Sequence, residues 1–193
     1  MPKIVKIPLI TLAALLMFAL VFLAFAQTKW FKNYATDKAT RFLSTELGVP
    51  VSIREIELNY FDALTAHDLY IEDQQHDTMI YIAKLAVNYD LFGFSNAHIQ
   101  LDEVTIQNAK VYLGIHKGAQ DLNLQFLIDY FTPPPSIEPS QQQIITFDKV
   151  ELENTVFAYF NKNYSPPSSR AFDENDMVFK HINGHLHDFN IIN

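Results

Sequence analysis

The chain has 193 residues, 49% of them hydrophobic, no Cys and a formal net charge of −8. The acidic balance excludes a nucleic-acid-binding surface, which needs clustered Lys and Arg. The missing Cys excludes disulfides and thiolate metal sites, and 5 Gly leave little material for a phosphate cradle.

Residues 9–26 form an uncharged apolar run without Gly or interior Pro. As a helix the run spans roughly 27 Å, near the bilayer hydrocarbon thickness of about 30 Å. It predicts a transmembrane signal anchor behind a short basic tail, residues 1–8, which carries Lys3 and Lys6. Trp30 and Tyr34 follow at interface depth. Ala24-Phe25-Ala26 also fits a small-x-small cleavage site, so a cleaved signal peptide is the competing reading. Lys29, Lys32, Lys38 and Arg41 follow the run, so charge counting does not orient it. Without residues 1–26, which hold two Lys and no acid, the charge of −8 becomes −10.

Residues 27–48 predict an amphipathic helix. Phe31, Ala35, Ala39 and Phe42 recur at three- and four-residue spacing, Gly48 ends the helix, and Pro50 keeps it from resuming. From residue 49 onward the chain turns to strands and predicts a mainly β domain.

An eight-residue pattern, apolar-x-apolar-x-x-apolar-x-apolar, then recurs. It occurs as Val51, Ile53, Ile56, Leu58; as Ile80, Ile82, Leu85, Val87; as Ile99, Leu101, Val104, Ile106; and as Ile145, Phe147, Val150, Leu152. A looser copy is Met177, Phe179, Ile182, Gly184. Period two means strands apolar on one face. The two-residue step in mid-pattern flips the register, which a β-bulge would correct. Residues 99–108 (IQLDEVTIQN) and 145–154 (ITFDKVELEN) match almost letter by letter.

Between these copies, Leu64, Ala66, Leu69 and Ile71 predict another strand, and Asp73–Asp77 a polar turn. Leu91-Phe92-Gly93-Phe94 reads as a hydrophobic loop. Asn108-Ala109 predicts a hairpin into Val111–Ile115. Residues 124–131 form a helical turn with Asn123 as its N-cap, and Ile144–Phe160 reads as a second hairpin. Residues 132–143 and 161–176 are polar, Pro-containing loops. Asn163-Tyr164-Ser165 in the latter matches a glycosylation acceptor. The whole reads as a meander with one apolar face. The final strand, with Leu186, Phe189, Ile191 and Ile192, predicts either pairing with further strands of a longer chain or cover from another chain.

No catalytic motif occurs, and no enzyme activity, cofactor, nucleotide or metal site is expected. His181, His185 and His187 read as polar-face residues rather than ligands, and Asp73, His76 and Asp77 as turn residues. Phe61, Phe92, Phe94, Phe126, Tyr130, Phe131, Phe157 and Tyr159 suit either a lipid groove or a closed sandwich core.

The order of features also carries a resemblance. Anchor and amphipathic helix precede LGVPVSI at 47–53 and DTMIYIAKLAVNYDL at 77–91; the near-repeat from 99 and DLNLQFL at 121–127 follow. Together they resemble the N-terminal region of AsmA-like proteins, in particular the TamB (translocation and assembly module) type of Gram-negative bacteria. The resemblance implies a single-pass inner-membrane anchor, a periplasmic antiparallel β-groove shaped like a taco, and phospholipid carriage toward the outer membrane. It implies groove lining by the sixteen residues of the four closest copies. It also implies outer-membrane protein assembly with an Omp85-type barrel partner, acting by β-strand addition, as the alternative function. This chain is far too short to cross a periplasm alone.

Overall fold

The computed structural model describes residues 15, 17, 18, 20–22, 24–59, 62–89, 98–131, 144–165 and 172–192. Much of the predicted anchor, the 91–94 loop, Phe61 and the 132–143 loop therefore lie outside the described residues. The described part of the 9–26 run is helical, and its apolar side chains, such as Phe18 and Leu20, are exposed. Among the described residues no helix is long and apolar enough to cross a membrane.

Helix α1 spans Lys29–Leu47. The Thr28 side chain accepts from the Phe31 N–H at its start, and Gly48 closes it in the left-handed conformation, φ 67°. Only glycine takes that φ without a Cβ penalty, so the helix stops where the sequence predicts.

Seven strands follow: β1 (Val51–Ser52), β2 (Glu55–Asn59), β3 (Ala63–Glu72), β4 (Thr78–Tyr89), β5 (His98–Ile115), β6 (Ile144–Asn161) and β7 (Asp176–Ile192). A short helix α2, Gln125–Phe131, lies between β5 and β6. The strands form one open sheet in the order β1-β3-β4-β5-β6-β7, with β2 also paired to β3.

Two expectations need correction. The sheet is mixed, not an antiparallel meander: β5 and β6 are parallel. Parallel neighbours need a long crossover connection rather than a hairpin, and 28 residues separate the end of β5 from the start of β6. The two predicted hairpins are also absent, since β5 and β6 are each 18 residues long and unbroken. Asn108 and Asn154 instead sit in mid-strand at φ 52° and 49°. Asn tolerates the left-handed region in turns and within strands alike, so its presence does not separate the two.

The expected bulges exist, at two levels. The register slips between Asn88 and Tyr89, leaving Asp102 of β5 as the extra residue. Asp148 of β6 and Asp188 of β7, φ 54°, occupy the same level. The second level carries positive φ at Asp68, Asn108, Asn154 and His181. Each such residue lets a three-residue step return to the same face, which is the spacing in mid-pattern.

The two sheet edges differ. Helix α1 lies along the β1–β2 edge and answers its backbone with side chains. Gln27 Nε2 donates to Leu58 O at 2.9 Å, Thr36 Oγ1 accepts from Ile56 N at 2.8 Å, and Ser44 Oγ accepts from Val51 N at 3.0 Å. These contacts close an edge that would otherwise invite pairing. Along β7, no element covers the outer edge among the described residues.

Candidate functional site: one apolar sheet face

The sequence repeat becomes a spatial ladder. Residues 99–108 and 145–154 are 46 positions apart, and every β5–β6 partner pair has that offset, from His98↔Ile144 to Ile115↔Asn161. Like therefore stacks on like: Ile99 beside Ile145, Leu101 beside Phe147, Val104 beside Val150 and Ile106 beside Leu152.

The same rows continue across the other strands. One runs Leu58, Leu64, Val87, Val104, Val150, Leu186 from β2 to β7. The next runs Ile56, Ala66, Leu85, Ile106, Leu152, Gly184 over the same strands. A third runs Val51, Ile71, Ile80, Val111, Phe157, Phe179 from β1 to β7. Directly paired residues share a face, so apolar side chains cross the whole sheet. Ile82 lies in a shorter row with Leu69 and Ala109. Of the sixteen predicted lining residues, fifteen join these ladders. Ile53 falls in the break between β1 and β2 and pairs with no strand.

Burial along the face is graded. Val51, Ile56, Ile82 and Val104, toward the α1 edge, are under 10% exposed. At the other edge Phe179, Leu186 and Phe189 are 45–56% exposed. Rings of neighbouring strands meet there, Phe147 against Phe189 at 5.8 Å and Phe157 against Phe179 at 6.3 Å. A closed sandwich would bury both ends alike. Tyr130 of α2 is also exposed, while Phe126 and Tyr159 are half-buried.

The opposite face is polar and holds the parallel pair in register. Gln107 Nε2 donates to Glu153 at 2.7 Å, and Asn154 Nδ2 to Asn108 Oδ1 at 2.7 Å. Lys149 Nζ sits 2.7 Å from both Glu103 and Glu151. Those hydrogen bonds hold the ammonium well above its usual range and Glu151 below its own. Toward the α1 edge, the Tyr81 hydroxyl and then the Arg54 guanidinium hold Asp68 below the ordinary carboxylate range.

At one end of this face is a cavity of about 870 Å³, walled by Tyr70, Tyr81, Tyr112 and Phe160 with Lys110 and Lys162. Beside it lies the cluster that the sequence reading missed. Asp73 is fully buried, and its Oδ1 accepts from the backbone N–H of Gln75 and of Asp77 at 2.9 and 3.0 Å. Its Oδ2 accepts from Asn123 Nδ2 at 3.2 Å and lies 2.7 Å from His116 Nε2. Burial pushes the Asp73 carboxyl up, but the hydrogen bonds from His116, Asp77, Asn123 and Gln75 outweigh it and leave it lowered.

Asp73, Asp77 and His116 have the donor types of a divalent-cation site. Lys162 Nζ already supplies positive charge there, 3.5 Å from Asp77 and 3.4 Å from His116 Nδ1. The four hydrogen-bond donors on Asp73 instead make it a latch between the β3–β4 turn and the crossover. Asn123 belongs to that latch and caps no helix. Its N–H donates to Gly114 O at 2.8 Å and its Oδ1 accepts from Gly114 N at 3.0 Å, extending the sheet beyond the end of β4. No sequence motif links residues 73, 116, 123 and 162; only the fold brings them together.

No protein-family model, curated protein or solved structure matches the chain. His181, one of the three C-terminal histidines, hydrogen-bonds Asn154 at 2.9 Å, and His185 stacks edge-on against His187 at 5.1 Å. Among the described residues, these histidines join no cluster of three metal-ligating groups.

Proposed function

We propose that this protein is a membrane-anchored lipid carrier whose apolar sheet face shelters acyl chains. The supporting observation is the set of three apolar rows that run from the α1 edge to β7 without a polar residue in them and lose burial toward β7. An acyl methylene leaving water gains about 0.8 kcal/mol, so a chain of about sixteen carbons needs cover worth on the order of 12 kcal/mol. Successive apolar rows provide that cover as a series of similar positions, which allows sliding without a deep trap. The process would be passive, since no nucleotide-binding motif occurs in the sequence.

An anchor at 9–26, with Trp30 and Tyr34 behind it, would hold the groove beside a bilayer. Following the AsmA-like and TamB-like resemblance, that bilayer is the inner membrane, the sheet lies in the periplasm, and the cargo is phospholipid bound for the outer membrane. The test is site-specific photo-crosslinking in membranes. A probe at Leu152 or Phe179 should capture phospholipid, whereas one at Tyr81, on the polar face, should not. Equal yields from both faces would defeat the proposal.

A second reading follows from the uneven edges. With one edge closed by α1, β7 is the open side for β-strand addition among the described residues. An assembly scaffold working with an Omp85-type barrel would use that side. Recovery of crosslinked barrel strands, rather than lipid, from probes along β7 would favour it.

A further inference from the structure

We infer that α1 lies flat on an anionic bilayer surface, along the flank it turns away from the sheet. The inference rests on the membrane-anchored reading above and adds the chemistry of the lipid surface and the orientation of the sheet. Charge along the chain is strongly segregated. Residues 27–41, behind the anchor, hold four Lys and Arg and one Asp, a net of +3, and residues 42–193 hold 8 basic and 21 acidic residues, a net of −13; Lys3 and Lys6, ahead of the anchor, bring the sum to −8. An anionic surface therefore attracts the first segment and repels the body.

The outer flank of α1 suits that surface. Trp30, Tyr34 and Phe42 are 65%, 50% and 60% exposed. The Trp30 and Tyr34 rings stack 5.7 Å apart at 4°, with Lys38 Nζ 5.8 Å from the Tyr34 ring centre. Amphipathic aromatic rings with Lys and Arg between them are the chemistry of the headgroup layer. Lys29 and Lys38 are exposed and, among the described residues, in no ion pair, whereas Lys32 turns inward to Glu57 at 3.6 Å. Asp37 lies on the outer flank and pairs with Arg41 at 3.0 Å, so Lys38 and Arg41 against Asp37 leave a net of +1 on that flank from Trp30 to Phe42, ahead of the exposed Glu46 in the last turn. Among the described residues the inner flank is committed to the β1–β2 edge, while Trp30, Tyr34 and Phe42 stay exposed.

Trp30 is the chain's only Trp, so its fluorescence reports on one position. It follows the anchor closely and would sit at the interface in any orientation. Phe42 is twelve residues further, about 18 Å along the axis, and separates a flat helix from a standing one. The experiment uses the full chain in nanodiscs of phosphatidylcholine alone or in equimolar mixture with phosphatidylglycerol, each with brominated acyl chains. It compares the parent with a Trp30→Phe, Phe42→Trp variant. In the mixture, Trp at 42 should be quenched at least about two-fold; Lys38→Glu with Arg41→Glu, or high salt, should abolish this and leave quenching of Trp30 in the parent background. Quenching at 30 but not at 42 in the mixture overturns the inference. Equal quenching at 42 in phosphatidylcholine alone overturns the anionic requirement. A blue-shifted but unquenched Trp at 42 would mean that protein covers this face. Absence of quenching at 30 in both lipids would remove the anchor, and the inference with it.

Discussion

Gly114 of β5 lies against Phe160 of β6 with no room for a side chain. A Cβ built there would meet Phe160 O at 2.2 Å and the Phe160 ring at 2.6 Å. A strand carbonyl cannot swing aside as a flexible side chain can. We expect Gly114→Ala to destabilise the sheet by about 1–3 kcal/mol, measured by urea unfolding. No loss of stability would mean that β5 and β6 separate readily at this end.

Asp73 carries a prediction of pH dependence. Its carboxyl titrates lower in the folded chain than in the unfolded one, so the unfolded state binds the proton more readily. Its contribution to stability is therefore complete above the ordinary Asp pKa of about 3.9 and is lost as pH falls through the lower folded value. Asp73→Asn keeps the shape but points an amide at Asn123 Nδ2, a donor already. We expect a loss of about 2–4 kcal/mol at neutral pH, shrinking in acid. Thermal unfolding of both proteins from neutral to acid pH checks it. A constant difference would mean that the Asp73 charge does not matter.

At the scale of elements, two hydroxyls tie α1 to the edge strands it covers. Thr36 is the buried residue of the helix, and it serves Ile56 N. Ser44 both accepts from Val51 N and donates to Val51 O. Thr36→Val and Ser44→Ala should each cost about 1–3 kcal/mol, because each leaves an edge-strand amide without a partner. Hydrogen exchange at Ile56 and Val51 should accelerate in the matching variant while exchange in β5 and β6 stays slow. Acceleration across the whole sheet would show that the edge and the centre unfold as one unit.

For the molecule as a whole, Val104 and Val150 separate groove from closed core. They are equivalent in the repeat and adjacent in the sheet, but Val104 is 8% exposed and Val150 is half-buried. A carboxylate at Val104 has no route to water and should cost several kcal/mol, on the scale of about 3–5 for an uncompensated buried charge. Val150→Asp should fold with a smaller loss and yet abolish lipid crosslinking at Leu152. Unfolding by both variants to the same extent would mean that the face is closed over its full width.

Strand positions and their apolar face were legible from residues 51–58, 80–87, 99–106 and 145–152, because side-chain direction alternates locally. The end of α1 at Gly48 was legible for the same reason, since a backbone preference acts at one residue. The bulges were legible as a necessity of the three-residue step, though not as two separate levels. The direction of β6 was not. Ile144 to Phe160 has the same pattern whether it runs with β5 or against it, and the choice is made by the 116–143 crossover and by rungs such as Asn108–Asn154 that no local window contains. Nor was the Asp73 latch, whose partners stand 43 and 50 residues away. Sequence alone thus determined which side chains face together, a matter of near-neighbour geometry. Tertiary structure decided which strands adjoin, in which direction, and which edge remains open, because those depend on contacts between distant residues.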